Sequence, residues 1–251
     1  MSKTMFDFSN QYVLITGSTR GIGKETAKLF LNRNAKVILT GTAQEPNPDL
    51  IEELSKLGNV FYESADFVSE KGIIDFISRL DNYERIDVCV NNAGINLLNP
   101  IEDITDEDYQ KVLSVNLDAP VKISRYLAGR MKNQNYGRIV NVASIWSIIT
   151  RPERGVYSIT KNAIIGLTQT MGIELASSGV IVNAISPGFT LTELTKNTNT
   201  TEQLNQIVSK IPISRLADPI EISYTILFLC SKENSYMTGQ NIVVDGGFTI
   251  V

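Results

Sequence analysis

The sequence contains no histidine in 251 residues. That excludes histidine-based triads and imidazole metal sites, and leaves Tyr, Lys, Ser, Asp and Glu to carry any proton transfer. Cysteine is nearly absent too. Cys89 and Cys230 stand far apart with no C-x-x-C pair, which reads as two reduced thiols packed inside a cytosolic protein. No cluster of carboxylates and cysteines has metal-ligand spacing, so no metal is expected. No apolar run approaches membrane-spanning length, and Met1 to Asp7 holds no apolar signal core, so the expected location is the cytoplasm. A concentrated basic face is also missing: 23 Lys and Arg are scattered against 27 Asp and Glu, for a net charge of −4. This argues against nucleic acid as the main partner, because phosphate binding needs clustered cations.

What is present is a balanced composition, 43% hydrophobic and 20% charged, in a length suited to one large α/β domain. Short β-branched runs alternate with longer amphipathic segments throughout. The apolar runs predict strands at 12–15, 36–39, 60–62, 88–90, 138–142, 180–185 and 241–244. Helical patterns fall between them, among them 21–33, 106–131 and 156–177. Apolar strands separated by helices imply a parallel sheet covered on both faces. Right-handed crossovers then give a single doubly wound, Rossmann-type domain over 1–251, with a seven-stranded parallel sheet flanked by helices. One polar stretch, Thr190 to Thr201, reads as irregular, with a helix resuming near Glu202. A loop this long in a compact domain is expected to serve as a substrate lid, about 189–212, rather than as a linker.

Directly after the first strand comes Thr16-Gly17-Ser18-Thr19-Arg20-Gly21-Ile22-Gly23. Glycines at a strand-to-helix turn permit close backbone approach to a pyrophosphate, and the helix start offers unpaired N–H groups to the phosphates. The spacing, G-x-x-x-G-x-G, differs from the commoner G-x-G-x-x-G. The second strand runs out into Thr40-Gly41-Thr42-Ala43, with no acid before Glu45 to hold a ribose 2′-hydroxyl. Arg20 and Thr42 instead suit a 2′-phosphate, so NADP(H) is favoured over NAD(H). The alternative for Arg20 is a solvated loop cation.

Tyr157 and Lys161 lie four residues apart, on one face of a predicted helix. A phenol titrates near pH 10, and a neighbouring cation favours the phenolate. Asn141-Val142-Ala143-Ser144 and Asn91-Asn92-Ala93-Gly94 end the fifth and fourth strands, at the edge where doubly wound sheets bind ligands. Asn116 interrupts a helical pattern, where its side chain competes with backbone hydrogen bonding.

Taken in order, Thr16-Gly17, Asn91-Asn92-Ala93-Gly94, Asn116, Ser144, Tyr157, Lys161, Pro187-Gly188 and Asp245-Gly246-Gly247 resemble the classical short-chain dehydrogenase/reductase family over nearly the whole chain. The resemblance implies hydride transfer between a nicotinamide and a carbonyl or secondary alcohol, with Tyr157 as acid/base. It implies that Ser144 binds the carbonyl oxygen, Lys161 lowers the Tyr157 pKa and holds ribose hydroxyls, and Asn116 holds a relay water. By the same likeness Asp66 meets the adenine, and Asn92, Ala93 and Gly94 line the adenosine side. Pro187, Gly188 and either Thr190 or Thr192 flank the nicotinamide. A non-catalytic dinucleotide sensor on the same fold is the reading from another class. A homotetramer is expected, although the apolar helix faces are equally explained by packing on the sheet.

Within that family the likeness is to 3-oxoacyl-acyl-carrier-protein reductases. Arg125, Arg130 and Lys132 suit an acidic carrier protein, but Ser178 stands where such reductases typically carry a second docking arginine. Trp146, Arg151 and Arg154, between Ser144 and Tyr157, suggest instead a bulky anionic substrate such as an activated sugar or sugar acid. The competing reading is that the two arginines pair with Glu153 or with a neighbouring subunit.

Overall fold

The computed structural model describes residues 5–197 and 199–251; Met1 to Thr4 of the N-terminal reading and Thr198 of the expected lid lie outside the described residues. The elements run β1 (Tyr12–Ile15), α1 (Gly21–Leu31), β2 (Lys36–Gly41), α2 (Pro48–Ser55), β3 (Asn59–Ser64), α3 (Glu70–Arg79) and β4 (Val88–Asn91). Then come α4 (Asp106–Leu113), α5 (Ala119–Gln134), β5 (Gly137–Val142), α6 (Gly155–Ala176), β6 (Val180–Pro187), α7 (Glu193–Asn197), α8 (Thr201–Val208), α9 (Pro219–Cys230) and β7 (Asn241–Val244). The strands form one seven-stranded sheet in the order β3-β2-β1-β4-β5-β6-β7, and every pairing is parallel. All seven predicted strands are present, and β1 and β7 keep their predicted bounds.

Alternation along the strands divides the core between the two faces. Val13, Ile15, Val37, Leu39, Val88 and Val90 pack with Phe30 of α1 and Ile222 and Ile226 of α9. Leu14, Ile38, Cys89 and Ile139 pack on the other face with Phe76 of α3, Leu127 of α5 and Met171 of α6. Both cysteines are buried and unpaired, and burial pushes the Cys89 thiol up to about 12. Chain order reverses direction beside β1: β2 and β3 lie on one side, β4 to β7 on the other. This switch point opens a crevice at the carboxyl ends of β1 and β4.

Two expectations need correction. The helix expected over 106–131 is broken by a single π-helical turn, Ser114–Asp118, between α4 and α5. A regular ladder would have residue 120 donate to the Asn116 carbonyl, but Pro120 has no N–H, so the turn widens there. The stretch 190–201 is not irregular throughout, because α7 occupies five of its residues. The Thr192 Oγ1 accepts the Thr195 N–H at 3.3 Å and caps that short helix. The following helix, α8, starts at Thr201 behind a Thr200–Gln203 capping box.

Candidate active site

The ends of β1 and β4 are bolted together by one hydroxyl. The Thr16 Oγ1 accepts the N–H groups of Asn92 at 2.9 Å and Ala93 at 3.0 Å. The Asn92 amide answers by donating to the Thr16 and Gly17 carbonyls, both at 2.9 Å. This seats the glycine turn against β4 so tightly that side chains are excluded. A Cβ on Gly17, whose φ is +63°, would lie 2.9 Å from the Ala93 Cα, and one on Gly23 would lie 2.4 Å from the Gly17 carbonyl oxygen. Helix α1 then starts with no side-chain cap and no acid in its first turn. Its leading amides are therefore open to an anion, which fits the pyrophosphate of a dinucleotide.

Of the residues expected around the cofactor, Gly17, Thr19, Arg20, Gly21, Ile22, Thr42, Asp66, Asn92, Ala93, Gly94, Pro187, Gly188, Thr190 and Thr192 all line one cleft of about 420 Å³. Ser18 and Gly23 do not. The Ser18 hydroxyl donates to the Ile15 carbonyl at 2.8 Å and accepts the Thr40 N–H at 2.9 Å. Its own N–H goes to the Thr40 carbonyl. Ser18 thus shapes the turn from behind, and Gly23 leaves room for it. Arg20 lies at the mouth, 3.1 Å from Glu193 of α7, with both side chains exposed.

The proton-transfer residues meet at the other end of the cleft. Ser144, just past β5, accepts the Trp146 N–H at 3.3 Å and so caps the single turn Ile145–Ser147. Tyr157 and Lys161 project from α6 into the same cleft. The Lys161 ammonium donates to the Val142 carbonyl at 2.8 Å and sits 5.4 Å from the centre of the Tyr157 ring. Burial brings its pKa down to about 8. Burial also raises the Tyr157 phenol above its ordinary value, and the Ser144 hydroxyl and the Arg154 charge pull it back. Arg154 is thus a second cation near the phenol, beside the Lys161 ammonium that the sequence pointed to. Asn116 sits one layer behind. Its Oδ1 accepts the Ile95 N–H and its Nδ2 donates to the Ile95 carbonyl, each at 2.8 Å.

Trp146 is buried, edge-on to Phe189. The guanidinium groups of Arg151 and Arg154 lie 5.4 and 5.5 Å from the centre of its ring. Arg154 lines the cleft and Arg151 does not. Arg154 is only 4% exposed, its Nε has no hydrogen-bond partner, and burial together with the Arg151 charge pushes its pKa down to about 10. Among the described residues neither arginine forms an ion pair with Glu153. Arg151 instead donates to the Asn199 side chain at 3.4 Å.

Two features escaped sequence reasoning. Asn91 donates to Ser124 and to Asn141, which donates to Thr168, so a buried polar chain ties β4 and β5 to α5 and α6. Asparagines ending strands were its only signal. Asn96 also lines the cleft, and nothing in the sequence set it apart. The guanidinium of Arg130, expected to be available for docking, donates to the carbonyls of Leu80, Tyr83 and Glu84 instead.

A family model described as enoyl-(acyl carrier protein) reductase matches residues 17–249. The 3-oxoacyl-[acyl-carrier-protein] reductase FabG of Thermotoga maritima is 36% identical over 94% of this chain and 97% of its own. A putative NAD(P)-dependent gluconate 5-dehydrogenase from Beutenbergia cavernae, solved with bound NADP, superposes with a TM-score of 0.93 at 32% identity, covering 98% of this chain and 99% of that one. A gluconate 5-dehydrogenase from Burkholderia cenocepacia, solved with NADP and tartrate, has a TM-score of 0.91 at 27% identity and covers 98% of each chain. The parallel sheet, the glycine turn at its switch point and the Ser–Tyr–Lys end of the cleft define a nicotinamide-dependent oxidoreductase. The chain belongs to the short-chain dehydrogenase/reductase family, whose members act on CH–OH and carbonyl groups.

Proposed function

We propose that this chain interconverts a carbonyl and a secondary alcohol on a carboxylate-bearing substrate, using NADP(H). The observation that carries the reading is Arg154, a cation 4% exposed at the cleft with no carboxylate partner among the described residues. A buried charge without a counter-ion is unfavourable, and an anionic ligand supplies one. The bound nicotinamide supplies or accepts the hydride. Tyr157 holds the proton that goes to, or comes from, the substrate oxygen, and Ser144 binds that oxygen as charge develops on it. Lys161 orients the ribose hydroxyls, and Thr192 is better placed than Thr190 for the carboxamide. The Thr190 side chain is buried and donates to the Gly188 carbonyl. Asn116 holds the floor under Lys161 and a relay water. Arg20 and Thr42 take the 2′-phosphate, with Asp66 beside the adenine.

A 3-oxoacyl thioester is the second reading, favoured by the relationship to the Thermotoga FabG protein. Ser178 and the internally engaged Arg130 weigh against an acyl carrier protein as partner. The sensor alternative is disfavoured because Tyr157, Lys161 and Ser144 meet in one cleft. Self-association as a homotetramer, checked by light scattering, completes the proposal.

The test is fluorescence titration with NADPH and NADH, followed by turnover of a hydroxy acid, an acetoacetyl thioester and a neutral ketone. Tenfold tighter NADPH and turnover of the acid support the reading. Arg154→Gln should then raise KM for the acid at least tenfold more than for the neutral ketone. Turnover confined to the thioester would replace this reading with the second.

A further inference from the structure

Among the described residues, three buried side-chain polar atoms have no hydrogen-bond partner: Asn96 Oδ1, Gln134 Oε1 and Arg154 Nε. Gln134 ends α5, away from the cleft. The other two belong to residues that line the same cleft. Buried polar atoms in folded proteins are nearly always paired, so two exceptions at one site ask for a reason. Their hydrogen-bonding characters are opposite: the Arg154 Nε–H is a charged donor, and the Asn96 Oδ1 is a neutral acceptor.

The chain around Asn96 is held firmly. Its neighbour Ile95 is clamped at both backbone groups by the Asn116 side chain, and Asn116 sits on the π turn whose widening Pro120 requires. Asn96 is thus the first residue beyond a fixed point, two positions past Gly94 at the β4 end of the cleft. Arg154 approaches from the start of α6, beside Ser144 and Tyr157. The two residues therefore reach the cleft from different walls, one beyond β4 and one at the start of α6.

We propose that Asn96 and Arg154 form the two ends of a substrate subsite for a polyhydroxylated carboxylic acid, Arg154 taking the carboxylate and the Asn96 amide oxygen taking a hydroxyl other than the one that reacts. The inference rests on the anionic-substrate reading above and narrows it. A carboxylate alone satisfies Arg154 and leaves Asn96 unpaired. An aliphatic acyl chain offers the amide oxygen no donor. Sites built to hydrogen-bond a substrate hydroxyl discriminate strongly against analogues that lack it.

The experiment compares kcat/KM for gluconate and for 3-hydroxybutyrate in the wild type and in the Asn96→Ala, Asn96→Ser and Arg154→Gln variants, with NADPH affinity and melting temperature measured on each. Wild type is expected to prefer gluconate. Asn96→Ala should lower the gluconate-to-hydroxybutyrate ratio at least tenfold, mainly through KM, and Asn96→Ser, which restores a small acceptor, should recover part of it. Arg154→Gln should lower both acids together and move that ratio less than threefold. An unmoved ratio in Asn96→Ala overturns the Asn96 assignment, and so does a loss of NADPH affinity, which would make Asn96 a cofactor contact. If Arg154→Gln spares both acids, the anionic reading itself fails. A wild type that prefers 3-hydroxybutyrate overturns the hydroxyl subsite alone, and one that oxidises neither acid overturns both.

Discussion

Replacing Lys161 with methionine should make the protein more stable and less active, and the stability gain should depend on pH in a defined direction. Lys161 is 4% exposed, and burial takes its pKa from 10.5 to about 8. A shift of about 2.5 units disfavours the charged form in the fold by about 3 kcal/mol. Methionine has similar length and no charge, but it leaves the Val142 carbonyl, now bonded to the ammonium at 2.8 Å, without its partner. That loss is about 1–3 kcal/mol, so the net gain at neutral pH is about 0–2 kcal/mol. Below pH 8 both the folded and unfolded chains carry the proton, and the fold bears the full penalty. Between pH 8 and 10.5 the folded chain sheds it first, the penalty shrinks, and the wild type catches up. At pH 9.5 about one unit remains, so the gap between variant and wild type should move by about 2 kcal/mol in the wild type's favour. Chemical denaturation at pH 7 and 9.5 reads this directly. A gap that stays constant, or that moves the other way, refutes the argument that burial governs this ammonium. Turnover of the variant should fall about a hundredfold or more at both pH values.

Tyr157 is raised above its ordinary value, so the phenol stays protonated through neutral pH. Carbonyl reduction, which uses the acid form, should be flat from pH 6 to 8, while alcohol oxidation should climb into the alkaline range; a reduction rate that falls steadily over pH 6–8 contradicts this. Arg20→Ala should weaken NADPH at least tenfold and NADH less than threefold in fluorescence titration, since only the 2′-phosphate distinguishes the two. Equal weakening would return Arg20 to the role of a solvated cation paired with Glu193. Gly23→Ala should abolish measurable dinucleotide binding and destabilise the fold by about 1–3 kcal/mol, because its Cβ would lie 2.4 Å from the Gly17 carbonyl oxygen. Unaltered binding in that variant would show that the turn can shift without loss.

The sheet was legible because its central strands are apolar on both faces, which leaves a continuous signal that a short run such as Tyr12–Ile15 carries unaided. The glycine turn and the Tyr157–Lys161 pair were legible for a related reason: their chemistry depends on local spacing. Roles that depend on distant partners were not. Ser18 falls inside the glycine motif, but its hydroxyl is committed to Ile15 and Thr40, and only the tertiary placement of β2 reveals this. The break in the 106–131 helix was signalled by Asn116 and Pro120, yet the periodic apolar face on either side outweighed them. Arg130 reads as a free cation until the carbonyls of the 80–84 segment come to it across 46–50 residues of sequence. Asn96 carries no local mark at all; only its burial without a partner distinguishes it.

The segment between Ser144 and Tyr157 gathers several unfavourable features at one point. Arg154 precedes the first residue of α6, where the helix dipole is positive and no side-chain bond caps the helix, and a cation there is repelled. Arg151 adds a second positive charge across the Trp146 ring. Glu153, a non-glycine residue, adopts a φ of +67°, a strained conformation that persists only where the surroundings impose it. Among the described residues no carboxylate forms an ion pair with either arginine, and the adjacent Glu153 offsets their charge only from a distance. Each feature alone is an ordinary imperfection, but the two guanidinium charges and the helix terminus together raise the positive potential beside Arg154, at one wall of the cleft. An anion bound beside Tyr157 would offset this charge: it would pair with Arg154, weaken its repulsion with Arg151 and answer the helix terminus. The same positive potential partly offsets the burial that raises the Tyr157 phenol, so a substrate carboxylate that quenches it on arrival would hold the phenol more firmly in the protonated state in which it can donate to a carbonyl oxygen. Substrate recognition and the protonation state of the acid/base would then be set by one arginine.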